Sequence, residues 1–133
     1  MRRYLLDTNT LTDLIRQPAG RVATVIGLLP EGEVVTSAMV AAELRFGAEK
    51  RGSPTLARQI ETVLADLVIL PFAPPADAIY ARIRASLERQ GTPIGGNDLL
   101  IAATALAHDA ILVTHNTREF ARVDDLRLED WLA

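Results

Sequence analysis

The chain has 133 residues, 49% of them apolar and 23% charged, with a formal net charge of −3 and no cysteine. That length sets one domain, residues 1–133, and the missing cysteine excludes disulfides, thiolate metal sites and cysteine nucleophiles. No run of about 18 apolar residues occurs and the apolar stretch behind Met1-Arg2-Arg3 is too short for a signal peptide, so no membrane span is expected and the cytoplasm is the expected compartment.

Taken in chain order, Tyr4-Leu5-Leu6 predicts a buried strand that ends in polar Asp7-Thr8-Asn9-Thr10. Leu11, Leu14 and Ile15 carry helical spacing, and Val22, Val25, Ile26 and Leu29 carry a second helix. Glu33-Val34-Val35-Thr36 predicts a strand, and Ser37 is placed to cap a helix over Ala38–Lys50. Leu56, Ile60, Val63, Leu64 and Leu67 mark a helix, Val68-Ile69-Leu70 a strand, and Ile79, Tyr80, Ile83 and Leu87 a helix stopping near Gln90-Gly91. A helix from about Asn97 to His108 precedes the strand Ala110-Ile111-Leu112-Val113-Thr114, and Leu126 to Leu128 adds a short edge strand. The predicted fold class is α/β: a mainly parallel sheet of about four to five strands with helices on both faces. Ligands bind such sheets beyond the carboxyl ends of the strands.

The acidic and amide residues at those positions are the candidates for chemistry. Asp7 follows the first strand, although a turn or helix-cap role explains it equally well. Glu43 shares a helical stripe with Met39, Val40, Phe46 and Gly47, where a carboxylate faces the core or a cleft and needs a cation partner. Asp98 opens a helix whose inward stripe is Ile101, Ala102 and Ala105; it also complements the helix dipole. Asn116 and Glu119 follow the fourth strand. Carboxylates brought together in this way repel unless a cation intervenes, and oxygen ligands without cysteine suit Mg²⁺ or Mn²⁺. His108 is expected at helix-terminal carbonyls and His115 in an exposed turn. No phosphate-binding glycine loop is present.

Five blocks carry a resemblance. Leu5-Leu6-Asp7-Thr8-Asn9, Ala42-Glu43-Leu44-Arg45-Phe46-Gly47-Ala48, Gly91 through Ala103, Val113 through Phe120, and Leu126 through Trp131 resemble, in order, the motifs of PIN domains, the last being similar to the tail of VapC-type toxins. The resemblance implies a PIN-like fold, metal-dependent endoribonuclease activity, and neutralisation by a small VapB-like antitoxin. It also implies a homodimer and a toxin–antitoxin hetero-oligomer, with structured RNA such as a tRNA anticodon loop as target. It maps the metal-binding acids onto Asp7, Glu43 and Asp98. Where many PIN domains carry a fourth acid this chain has Asn116, with Glu119 nearby.

The expected reaction is hydrolysis of an RNA phosphodiester by water, with Thr8, Asn9 and Thr114 orienting ligands or waters. The negative net charge leaves phosphate contacts to local cations; Arg45, Lys50, Arg82, Arg89 and Arg118 are candidates, each also readable as a solvated helix charge. A phosphatase of the haloacid-dehalogenase type is a rival, but it needs a second Asp where Asn9 stands. Further alternatives are an RNA-processing PIN nuclease outside a toxin pair and a non-catalytic PIN-like binding module.

Overall fold

Short apolar runs alternating with helices bury both elements when a parallel sheet is covered on its two faces. The computed structural model describes residues 2–132 and has this arrangement. Strands β1 (Tyr4–Leu6), β2 (Val34–Ser37), β3 (Val68–Leu70), β4 (Ile111–Val113) and β5 (Leu128–Glu129) form one sheet in the order β3-β2-β1-β4-β5. Every pairing is parallel. All residues of β1 and β4 are buried. Because successive side chains point to opposite faces, a strand with no exposed residue is covered on both. β3 lies at the edge and exposes Val68.

Helices α1 (Thr8–Arg16) and α2 (Arg21–Gly27) join β1 to β2, α3 (Ala38–Arg51) and α4 (Pro54–Ala65) join β2 to β3, α5 (Ala76–Arg89) and α6 (Gly96–Ala107) join β3 to β4, and α7 (Thr117–Phe120) precedes β5. Local chemistry sets these limits. Ser37 Oγ accepts from the Val40 N–H at 3.1 Å and starts α3. Gly52, at φ 61°, ends it in the left-handed conformation that favours glycine. Ser53 Oγ then accepts from the Leu56 N–H, and Pro54 occupies the first turn of α4. Along α6, Leu99 and every residue from Ile101 to Ala105 are buried, and the alanines bring this helix close to its neighbours.

Several expectations are corrected. The core row of α3 is Val40, Ala41, Leu44 and Ala48, so Phe46, about 240° around the helix from Val40, is 65% exposed. Glu43, one residue before Leu44, lies at the margin of the buried row and is half-buried. The last strand is Leu128–Glu129 rather than Leu126–Leu128. Its register, Leu112 opposite Leu128 and Val113 opposite Glu129, is supported by Trp131, whose ring packs 5.7 Å from Tyr4. Helix α6 runs Gly96–Ala107, within one residue of the expected span at each end, and the backbone N–H of His108, not its ring, reaches the Thr104 carbonyl. Among the described residues, no helix is long and apolar enough to cross a membrane.

Candidate active site

The sheet order places β1 between β2 and β4, so the chain departs in opposite directions from the carboxyl ends of β1 and β4. Ligands of parallel α/β sheets gather at such a switch point. Asp7 leaves β1 there and Thr114 leaves β4, and the two side chains meet: Thr114 Oγ1 donates to Asp7 Oδ2 at 2.8 Å. The other Asp7 oxygen accepts from the Thr8 N–H at 2.7 Å. Asp7 therefore occupies the cap position of α1 while being only 6% exposed. Burial pushes its carboxyl above the usual range, against the lowering effect of these two donors, and the charge of Glu43 raises it further.

Thr8 links the next acid, its hydroxyl donating to Glu43 Oε1 at 3.0 Å. Asp98, in the first turn of α6, is half-buried. Its carboxyl is pushed up to about 6, first by burial and then by the charges of Glu119, Asp7 and Glu43. Asp7, Glu43, Asp98 and Asn116 line one cleft of about 530 Å³, together with Thr8, Asn9, Thr12 and Arg16. Asn9 lines the same cleft. Its Oδ1 accepts from the His115 N–H at 3.4 Å and from the Thr10 hydroxyl at 3.5 Å, which links α1 to the loop after β4.

Asn116 and Glu119 are joined to each other and to the start of α6. Asn116 Nδ2 donates to Glu119 Oε2 at 2.6 Å, and Glu119 Oε1 accepts from the Gly95 N–H at 3.0 Å. Those donors, Gly95 first, hold the Glu119 carboxyl below its ordinary range. Glu119 thus straps α7 to the start of α6 and also lies against the Asp98 carboxyl, raising its proton affinity; Asn116 lines the cleft. The short helix carrying Glu119 went unpredicted, although Asn116 three residues before Glu119 has the spacing of a helix start. The contribution of Arg16 and Thr12 to the cleft was also missed; both stand on α1 facing the same space, a placement that one-dimensional spacing does not reveal. His115 is exposed, with Nδ1 3.0 Å from Asp130 Oδ2.

No group of three His, Asp or Glu side chains among the described residues is drawn into a closed metal-binding cluster. The donor set still fits a hard cation. Mg²⁺ keeps several waters and takes one or two carboxylates plus substrate phosphate oxygens, not an all-protein cage. The raised Asp98 carboxyl has uncompensated neighbouring charge as part of its cause, and a cation relieves that repulsion.

Two stability predictions arise here. In the metal-free protein the folded Asp98 binds a proton more tightly than the unfolded chain, so its contribution is favourable at low pH and is lost as pH rises through about 6. Asp98→Asn should therefore raise the metal-free Tm at neutral pH, with a gain that shrinks below pH 6 and vanishes near pH 4; melts across that range check it. Asn116→Asp replaces a donor 2.6 Å from Glu119 Oε2 with a second carboxylate oxygen. It should lower the metal-free Tm at neutral pH, recover as the pH falls, and give a larger Mn²⁺-induced rise in Tm than wild type. Superimposable melts for Asn116→Asp and wild type, with and without Mn²⁺, would contradict the strap.

The PIN domain family pattern matches residues 4–126. Ribonuclease VapC2 of Haemophilus influenzae is 38% identical, with 99% of this chain and 100% of that protein aligned. The tRNA(fMet)-specific endonuclease VapC of Shigella flexneri is 38% identical over 98% of this chain and 99% of its own length. Among solved structures, VapBC2 from Rickettsia felis bound to a promoter DNA fragment aligns with a TM-score of 0.90 and 35% identity, covering 96% of this chain and 98% of the matched chain.

Proposed function

The chain belongs to the PIN-domain family and, within it, to the VapC ribonucleases; we propose that the cleft at the switch point is its nuclease centre, with Mg²⁺ or Mn²⁺ held by Asp7 and Asp98 and assisted by Glu43. The observation that carries this reading is that these three acids, from three separate segments, line one cleft with Asn116. Water attacks the phosphorus, the bond to the 3′ oxygen breaks, and that oxygen takes a proton, leaving a 5′ phosphate and a 3′ hydroxyl. A bound divalent cation supplies a lowered pKa for the attacking water and polarises a phosphoryl oxygen.

The chain's own residues provide alignment. Thr8 and Thr114 engage both oxygens of Asp7, so it keeps one orientation as substrate arrives. The Thr114 hydroxyl also accepts from the Asn116 N–H at 3.0 Å, joining the ends of β1 and β4 through one side chain. Because its amide nitrogen is engaged by Glu119, Asn116 offers its carbonyl oxygen to the cleft. A neutral oxygen there supports weaker binding of a second cation than of the first. The haloacid-dehalogenase alternative loses support because the residue two positions after Asp7 is Asn9 and not a second carboxylate.

For the partner, the reading is a VapB-like antitoxin, with toxin homodimers and toxin–antitoxin hetero-oligomers as the assemblies. A groove of about 630 Å³ opens beside α1, α2 and α4, lined in part by half-buried Leu14, Ile26, Leu29, Val63 and Leu67. Such a groove suits apolar anchors of an antitoxin segment, and a cationic side chain of that segment suits the acidic cleft. Leu11, by contrast, is fully buried in the core. The RNA to test first is tRNA, because the Shigella relative is named for one.

The test of the metal reading is a melt and a turnover assay on dialysed protein. Mg²⁺ or Mn²⁺ at about 100 times its Kd should stabilise the fold by about 2.7 kcal/mol. Excess EDTA should stop RNA cleavage without unfolding the chain. Undiminished cleavage in EDTA would defeat this reading.

A further inference from the structure

A second cleft, of about 230 Å³, adjoins the acidic one and runs between α1, α3 and α4. The two share Thr8, Thr12, Arg16 and Glu43. Arg16 stands at the junction and Arg51 lines the far part beside Gly47. This side is open: a methyl group added at Gly47 would meet no atom within 4 Å. Both arginines are exposed, and neither joins an ion pair among the described residues.

Other arginines are differently engaged. Arg45, one of the phosphate contacts expected from the sequence, is held by both oxygens of Glu61, at 3.0 and 2.9 Å. Arg84 pairs with Glu88 and Arg127 with Asp109. Lys50, Arg82, Arg89 and Arg118 line neither cleft. The net charge of −3 draws no polyanion to the surface at large, and the acids of the centre repel phosphate until a cation is bound. Flanking phosphates therefore need nearby uncommitted cations, and Arg16 and Arg51 are the ones that line these clefts.

We infer that a single-stranded segment of the RNA runs from the acidic cleft into the α1–α3–α4 cleft, where Arg16 and Arg51 hold phosphates beside the scissile one. This rests on the nuclease reading for its direction, but its test does not depend on turnover. The probe is a fluorescein-labelled single-stranded RNA oligonucleotide, titrated with the full chain carrying Asp98→Asn so that it stays intact, over a series of salt concentrations. Adding Arg16→Ala or Arg51→Ala should weaken binding several-fold and lower the salt-dependence slope by about 0.7 each, the value for one phosphate of a single strand. Arg16→Lys and Arg51→Lys should keep the slope, because charge is retained without the planar fork. Arg84→Ala should change neither quantity. In the otherwise wild-type chain, Arg16→Ala and Arg51→Ala should raise KM with kcat little altered.

Unchanged affinity and slope in the Arg16→Ala/Arg51→Ala double variant, with its melt intact, would overturn the inference. So would unchanged RNA binding accompanied by lost antitoxin binding, which would assign the arginines to the protein partner. Arginine-dependent RNA binding in a chain whose Asp98 form cleaves nothing with Mg²⁺ or Mn²⁺ would uphold the strand path and remove the nuclease reading.

Discussion

Asp7→Asn is expected to reduce RNA cleavage by about 10²- to 10³-fold, the scale set by losing a preorganised electrostatic group, while the fold survives. The substitution is isosteric. An amide oxygen still accepts from the Thr8 N–H, and the Thr114 hydroxyl can turn to accept from the new amide nitrogen. What is lost is the charge of a buried group whose carboxyl already lies above its usual range because of burial, so the metal-free Tm should be equal or higher. Thr114→Val gives a graded companion. It removes a donor to Asp7 and an acceptor for the Asn116 N–H, and supporting contacts of this kind are worth about 10- to 100-fold in metal affinity or activity. Single-turnover cleavage by both variants, with circular dichroism as the folding control, separates the two scales. Equal losses in both would mean that Asp7 matters through packing and not through charge.

Phe120→Ala carries the largest expected effect on stability. Phe120 is fully buried and ends α7. Removing its ring should cost about 3–5 kcal/mol, a large part of the about 5–15 kcal/mol that holds a domain of this kind together. Because α7 also carries Glu119 and begins after Asn116, activity should fall in the fraction that stays folded. Urea unfolding followed by fluorescence of Trp131 measures the first effect, and RNA cleavage below the unfolding transition measures the second. A midpoint shift worth less than about 1 kcal/mol would show that α7 is held by its polar strap alone.

The parallel sheet was legible because its central strands are covered on both faces and so read as continuous apolar runs: Tyr4-Leu5-Leu6 and Ile111-Leu112-Val113 have no exposed residue. Ser37 was legible as a cap because a serine between a strand and a helical stripe has few other uses. The rotation of α3 was less legible. Spacing from Met39, Glu43 and Gly47 put Phe46 on an inward stripe, but the buried row is rotated to Val40, Ala41, Leu44 and Ala48, and the structure turns Phe46 outward. Of the site, Asp7 and Asp98 were found because they stand at a strand end and a helix start, and Glu43 because a carboxylate falls on an apolar helical stripe. Their supports were harder to find, since Thr114 and Asp7 are 107 residues apart and meet only through strand pairing. The distinct parts of Asn116 and Glu119 depend on one amide orientation and one Gly95 N–H, which no spacing rule contains.

The central claim is that Asp7, Glu43 and Asp98 form a divalent-cation centre for RNA hydrolysis. The most direct measurement is isothermal titration of Mn²⁺ into dialysed wild-type and Asp98→Asn protein, paired with end-mapping of RNA cut by the same preparations. The account predicts saturable Mn²⁺ binding by wild type that is lost or strongly weakened in Asp98→Asn, with wild-type products bearing 5′ phosphates and the variant producing none. Equal Mn²⁺ affinity in both proteins, or RNA cleavage by Asp98→Asn at the wild-type rate, would contradict it.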